Sequence, residues 1–145
     1  MRAADGSYLL SGGRAQRMIE ETWTRRSAAE AGPVWPLSGD SADGRLACTA
    51  ESCLYRAQGR TVALIRDDAA LKRDCATADL VVSAEPVRRS CRRPLVIDRF
   101  DTWRKGAHAV WLDPDGIRIL TVAEWRGVRP WAPAPEPRRR EAAAR

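Results

Sequence analysis

Histidine is almost absent from this chain, since His108 is the only one among 145 residues. Most catalytic zinc sites use two or three histidines, so the composition excludes a hydrolase of the multi-histidine type. Long apolar runs are also missing. No run approaches the roughly 20 residues of a membrane-spanning helix, which excludes a channel built from this chain. Gly-rich phosphate loops, Gly-x-Ser-x-Gly elbows and His-Glu-x-x-His helices are absent as well.

The first seven residues contain no apolar segment of the kind found in a signal peptide. A short hairpin is predicted almost at once, with its turn at Asp5-Gly6. Of its two strands, the one at residues 8–10 has the clearer strand pattern. This start is unusual for a self-contained protein, and we expect the chain to begin partway through a larger one.

Length and composition place the rest of the chain among ordinary globular domains. Hydrophobic residues make up 44% of the sequence, and domains typically contain roughly 100–150 residues. We expect one domain over residues 1–131, followed by a disordered tail rich in Pro and Arg over residues 132–145.

Local patterns predict strands that alternate with short helices. A helix is expected over residues 14–26 from three-to-four spacing, and another over residues 69–75 after the capping pair Asp67-Asp68. The apolar runs 78–83 and 94–98 are typical of interior strands covered on both faces. The remaining expected elements are a meander over 45–48, 53–56 and 61–65, a helical turn over 100–105, and a hairpin of 106–112 with 116–120. These elements indicate a layered α+β or α/β domain.

The net charge of +6 and the pI of about 9.8 invite a nucleic-acid partner. The charge is concentrated in two places, the C-terminal arginines 138–140 and a cluster around Cys91. Basic loops and tails are often simply solvated, so direct contact with phosphate is one of two interpretations. The candidate DNA-contacting residues in the cluster are Arg88, Arg89, Arg92 and Arg93.

The four cysteines leave three alternatives open. A zinc site with four cysteines normally uses pairs separated by two residues, and that pattern is missing here. Two disulfides in an oxidising compartment fit the even number, most naturally Cys48–Cys53 and Cys75–Cys91. Four buried thiols in a reducing compartment, or a metal site with looser spacing, are the other two possibilities.

Two further groups could carry chemistry but have simpler explanations. His108 lies in an apolar strand, on the face opposite Ala107 and Ala109, and we expect a hydrogen-bonded structural histidine rather than a Cys–His pair. Asp98 and Asp101 follow a strand, where acids either face a crevice or cap the next helical turn and pair with arginine. We favour the cap.

Tryptophan is frequent, with six residues, and Trp35, Trp103, Trp111 and Trp125 are expected in the core or at its edge. Stacking on single-stranded DNA requires exposed rings beside basic residues. Among the ordered segments, that pairing occurs in the sequence at Trp103-Arg104-Lys105 and at Trp125-Arg126.

Taken in order, five segments resemble the extreme C-terminal region of competence proteins of the ComEC type, in their alphaproteobacterial form. They are residues 48–53 (CTAESC), 61–67 (TVALIRD), 74–83 (DCATADLVVS), 95–112 (LVIDRFDTWRKGAHAVWL) and 126–131 (RGVRPW). The similarity spans most of residues 4–131. Its most specific part, residues 98–112, contains the candidate functional residues Asp98, Arg99, Asp101, Trp103, Arg104, His108 and Trp111.

The resemblance implies a soluble domain of a DNA-uptake channel, on the extracytoplasmic face of the inner membrane. Such channels carry one strand of transforming DNA, and their soluble part is similar to the metallo-β-lactamase fold. Members with an intact site are thought to bind metal and cut the other strand. Here the His-x-His-x-Asp-His motif is missing, and Ala84-Glu85-Pro86 follows the strand that leads to a histidine-rich loop in intact members. We therefore expect a partial or degenerate metallo-β-lactamase-like sheet domain with no catalytic residue, metal ligand or cofactor.

Two functional hypotheses compete with this non-catalytic DNA-uptake domain, whose partners would be the membrane part of the channel and, weakly, single-stranded DNA. One is a metal-dependent nuclease or hydrolase. The other is an independent basic module that binds nucleic acid.

Overall fold

The structure, a computed structural model, describes residues 1–9, 16–27, 35–36, 38–92, 94–127 and 131. The predicted tail over residues 132–145, the arginines at 138–140 and the candidate Arg93 lie outside the described residues. The elements in chain order are α1 (Gln16–Ser27), β1 (Gly39–Asp40), β2 (Leu46–Cys48), β3 (Ser52–Ala57), β4 (Arg60–Ile65), α2 (Asp68–Thr77), β5 (Leu80–Ser83), β6 (Leu95–Ile97), α3 (Arg99–Lys105), β7 (His108–Asp113), β8 (Gly116–Thr121) and α4 (Val122–Arg126).

Strands β1 to β6 form one mixed sheet in sequence order. The first four strands are antiparallel, whereas β4, β5 and β6 run parallel to one another. The β3–β4 turn has positive φ at both Gln58 and Gly59, a backbone conformation suited to the tight turn of a hairpin. Helix α2 connects β4 to β5, which makes a β–α–β unit. The protein is therefore a mixed α+β domain.

One face of this sheet carries the larger group of buried side chains. Because side chains alternate between the two faces of a strand, each strand from β2 to β6 contributes a buried residue to this face. These residues contact one another and are Leu46, Cys53, Val62, Leu80 and Ile97. An N-terminal hairpin (residues 1–9) contributes Ala3 and Leu9 to this cluster, and Trp35 also packs there.

The opposite face is covered by α2 and by the segment that follows β5. Ala63, Val81 and Val96 point to this side and pack against Leu71 of α2 and against Val87 and Cys91. Asp67 begins the helix as its N-cap, because its carboxylate accepts the Ala69 N–H at 2.8 Å.

Strands β7 and β8 pair only with each other among the described strands. Val110, Leu112, Ile117 and Ile119 lie on the inner face of this hairpin and are partly buried against the first cluster. At the tip, the Arg60 guanidinium donates to the Pro114 carbonyl at 3.3 Å. We call α3, β7, β8 and α4 the C-terminal unit.

Several predicted elements are confirmed, including the meander, the capped helix α2 and the β7–β8 hairpin. The strand predicted over residues 94–98 is confirmed as β6, and Val96 and Ile97 are buried on its two faces. Its expected interior position was wrong, because β6 is the edge strand among the described strands and Leu95 is 48% exposed. The chain after β6 turns into α3 and then forms the β7–β8 hairpin, so none of the described strands is added beyond β6. Helix α1 exists, but Met18 on its expected apolar face is 71% exposed.

Candidate functional site

The two acids at the end of β6 build the start of α3. Asp98 is 2% exposed and is the N-cap, accepting the N–H groups of Phe100 and Asp101 at 3.0 and 3.3 Å. The Asp101 carboxylate in turn accepts the Asp98 N–H at 3.2 Å, which completes a capping box. The structure therefore confirms the capping role that we favoured for these acids.

Arg88 joins this cap to the segment after β5. Its guanidinium donates to Asp101 Oδ2 at 2.5 Å and to the Val96 carbonyl at 2.9 Å. Burial alone would raise the pKa of Asp101, but hydrogen bonds from Arg88 and from the Asp98 N–H outweigh it and hold this pKa below its usual value. Arg88 is thus committed to an ion pair, although it is 60% exposed.

His108 occupies the inner face of β7, in register with Thr121 of β8. Its Nδ1 is buried and has no hydrogen-bond partner among the described residues. The expected hydrogen bond at this nitrogen is therefore not found. Glu124 lies close enough that the positive potential of His108 contributes to its lowered pKa, after the larger effect of hydrogen bonds from Thr121.

The prediction that Trp103 and Trp125 belong to the core was wrong. Trp103 of α3 is 77% exposed and Trp125 of α4 is 75% exposed. Both helices are only a turn or two long, and they bury little: Asp101 is the only buried residue of α3, and α4 has none. The two helices touch where Gly106, at the end of α3, approaches the Val122 side chain.

Basic side chains accompany these exposed rings. Arg104 lies 5.4 Å from the centre of the Phe100 ring, which is itself 45% exposed. Lys105 is also exposed, and Arg99 is exposed at the start of the helix. Trp103, Arg104 and Lys105 are thus exposed and consecutive in the sequence of α3, and stacking on single strands requires exposed rings beside basic residues. We call Trp103, Arg104, Lys105 and Trp125 the aromatic–basic surface.

Trp111 differs from this pair. It stands on the outer face of β7, 37% exposed, and the Arg118 guanidinium lies 4.1 Å from its ring centre. Arg118 is also its cross-strand neighbour. One face of this ring is consequently already covered by a cation. Trp35, by contrast, is buried as expected, and its indole N–H donates to the Cys53 sulfur at 3.4 Å.

All four cysteines are paired in the structure, in the combination that the sequence favoured. Cys48 and Cys53 are direct cross-strand neighbours in β2 and β3. Cys75 of α2 is bonded to Cys91 in the segment between β5 and β6. The second bond joins the helix to the segment that covers the same face of the sheet.

Two other members of the basic cluster, both among the described residues, are exposed near this second disulfide. Arg89 and Arg92 are exposed, and together with Lys72 they line a surface cavity. Sequence patterns alone do not single out Lys72. Residues three apart on a helix lie on the same face, so Lys72 lies next to Cys75 on α2. This spacing places Lys72 near the arginines only once Cys75 is known to be bonded to Cys91.

Two further features concern metal ligands and membrane-spanning helices in the part of the chain that the structure describes. No group of three His, Cys, Asp or Glu side chains in that part of the chain is arranged as a metal site. No helix there is long and apolar enough to span a membrane.

The fold and these surfaces together describe a disulfide-linked α+β domain with exposed aromatic and basic groups. Comparison with models of known protein families, with curated proteins and with solved structures gives no match.

Proposed function

We propose that this chain is a non-catalytic soluble domain of a ComEC-type DNA-uptake channel, and that its aromatic–basic surface contacts single-stranded DNA. The observation that carries the proposal is the position of the most specific segment of the resemblance, residues 98–112. This segment forms α3 and β7 and presents Trp103 to solvent beside Arg104 and Lys105. Exposed tryptophan has no packing role there, so a binding role accounts for it better.

Two further features support the proposal. Disulfides persist in oxidising compartments, so the two bonds favour the extracytoplasmic face of the inner membrane. A mixed sheet covered on one face by a helix is compatible with a degenerate domain of the metallo-β-lactamase type, which is the finer fold that we propose. The expected partners are the membrane part of such a channel and single-stranded DNA.

Binding to DNA is tested with a fluorescent oligothymidine of 20 nucleotides and the Trp103→Ala/Trp125→Ala variant. Stacking of a base on an aromatic ring contributes about 1–3 kcal/mol, so loss of both rings should weaken binding at least about tenfold. Trp111→Ala is the matched control, because this tryptophan is less exposed and one face of its ring is already covered by Arg118. Equal affinity of the double variant and the unaltered protein would contradict this surface.

Association with a channel is tested separately from the genomic sequence upstream of Met1. A ComEC-type origin predicts hydrophobic spans encoded there, in frame or in a neighbouring frame. An unrelated gene at that position, combined with tight DNA binding, would instead favour the second candidate, an independent module that binds single-stranded nucleic acid. The same exposed tryptophans favour that candidate.

A further inference from the structure

A second basic site lies beside the Cys75–Cys91 disulfide. A surface cavity of about 340 Å³ opens between the second half of α2 and the segment after β5. This volume is at the lower end of the range of small-molecule sites, roughly 300–1,000 Å³. Its lining residues are Lys72, Cys75, Ala76, Arg89, Ser90 and Arg92.

Cations dominate this cavity, and no carboxylate lines it. Lys72, Arg89 and Arg92 form no ion pair with any described residue. Their basic sequence neighbours behave differently, since Arg73 pairs with Asp74 and Glu51, and Arg88 pairs with Asp101. The structure thus separates the basic residues that hold the fold together from those that face one opening.

Three like charges around one opening repel one another unless an anion is present. Arginine guanidinium groups match the oxygens of a phosphate with two parallel hydrogen bonds, and lysine adds a point charge. The Ser90 hydroxyl on the same wall is a further donor. The chemistry of the lining is therefore that of a phosphate site.

The disulfide sets the distance between the two halves of this cavity. Lys72 comes from α2, whereas Arg89 and Arg92 come from the segment after β5. The bond joins these two pieces of chain one turn from Lys72 and two residues or fewer from both arginines, with a Cα–Cα distance of 5.6 Å. A site held in its binding geometry before the ligand arrives binds with a smaller entropic cost.

We propose that Lys72, Arg89 and Arg92 form a phosphate-binding site, with phosphodiester groups of nucleic acid as its ligands, and that the Cys75–Cys91 bond keeps this site assembled. The site goes beyond the proposed function, because it requires neither a membrane channel nor the aromatic–basic surface.

The test measures two probes, inorganic pyrophosphate by calorimetry and a 12-nucleotide oligothymidine by fluorescence anisotropy, with the full chain in its disulfide-bonded form. Three cations predict a slope of log K against log salt of about −2 for the single strand. Arg89→Glu/Arg92→Glu should lower the affinity about tenfold or more and flatten this slope. The matched control is Arg2→Glu/Arg118→Glu, which makes the same change in net charge on the side of the sheet that the N-terminal hairpin and β8 cover.

The role of the disulfide is tested with Cys75→Ala/Cys91→Ala, and Cys48→Ala/Cys53→Ala is its control. We expect the first pair to weaken binding several-fold and the second to leave it unchanged, with folding of each checked by circular dichroism. If the first pair does not fold, the arginine variants still decide whether the site exists. Binding of pyrophosphate without the oligonucleotide would overturn the phosphodiester assignment. Unchanged affinity in Arg89→Glu/Arg92→Glu would overturn the site.

Discussion

The six-stranded sheet and the C-terminal unit bury their side chains to different depths. On the sheet, Leu46, Cys53, Leu80 and Val81 have no solvent exposure at all. On the inner face of the β7–β8 hairpin, by contrast, the aliphatic residues are only partly buried. The C-terminal unit also contributes most of the large hydrophobic side chains that remain exposed in the described residues.

This difference separates the region that provides most of the stability from the region that we propose contacts DNA. Apolar burial contributes about 25 cal/mol per Å², so most of the favourable free energy of folding comes from the sheet and from the segments that cover it. Capping boxes order the first turns of α3 and α4 through hydrogen bonds, while Trp103 and Trp125 on these helices stay exposed. Substitutions in the two regions should therefore affect different measurements.

The largest expected effect is that of Leu80→Ala in β5. Complete burial of Leu80 means that its truncation leaves a cavity, and such changes cost about 2–5 kcal/mol. Leu112→Ala in β7 makes the same chemical change at a half-buried position and should cost only about 1 kcal/mol. Urea denaturation followed by circular dichroism measures both values. Equal losses would show that the two regions do not differ in this way.

The two disulfides provide the next comparison. A bond that closes a longer loop restricts the unfolded chain more, and the sequence separations are 16 for Cys75–Cys91 and 5 for Cys48–Cys53. The chain-entropy relation gives losses of about 3 and about 2 kcal/mol for Cys75→Ala/Cys91→Ala and Cys48→Ala/Cys53→Ala. Denaturant midpoints test this order.

The mass before and after reduction and alkylation should first show two bonds in periplasmic material, and four thiols alkylated without reduction would refute them.

Arg88→Ala tests the junction between the two regions. Its loss leaves the buried Asp101 carboxylate without its cation, and hydrogen bonds to charged groups contribute about 1.5–3 kcal/mol. Partial exposure of Arg88 reduces the expected loss to about 1–2 kcal/mol at neutral pH.

The pH dependence of this loss has a definite sign. The pKa of Asp101 is lowered in the folded state, so its stabilising contribution is present above the ordinary carboxyl pKa and disappears as the pH falls through the lowered value. The difference between the unaltered protein and Arg88→Ala should therefore shrink below about pH 4. A constant difference between pH 7 and pH 3 would contradict the role of this ion pair.

Sequence patterns predicted the antiparallel half of the sheet because its determinants are local. The Gln58-Gly59 turn and the Asp67 cap each act within a few residues. Cysteine number and spacing favoured the observed disulfide pairing but left free thiols and a metal site open. The edge position of β6 was not predictable in this way, since residues 95–97 are apolar whichever neighbour they have. The edge position depends on the residues after β6, which form α3 and then a separate β7–β8 hairpin.

The candidate site shows the same limit. Capping by Asp98 and Asp101 was expected from their positions, because capping boxes are sequence motifs. Exposure of Trp103 and Trp125 was missed, because large aromatic residues are usually buried and only the packing of two short helices against their neighbours decides otherwise.

The smallest expected effect is that of Trp103→Ala on stability. The ring is 77% exposed, and surface substitutions away from special features usually change the free energy of unfolding by less than about 0.5 kcal/mol. The fluorescence of Trp103 should be that of a solvated indole, which acrylamide quenches readily. The fraction of the protein's tryptophan fluorescence that acrylamide quenches should therefore be smaller in Trp103→Ala. A loss of about 2 kcal/mol or more on denaturation would place Trp103 in a packing role and remove the separation between a stabilising sheet and a binding C-terminal unit. An unchanged unfolding curve, together with the weaker DNA binding expected for Trp103→Ala/Trp125→Ala, would assign the aromatic–basic surface to recognition alone.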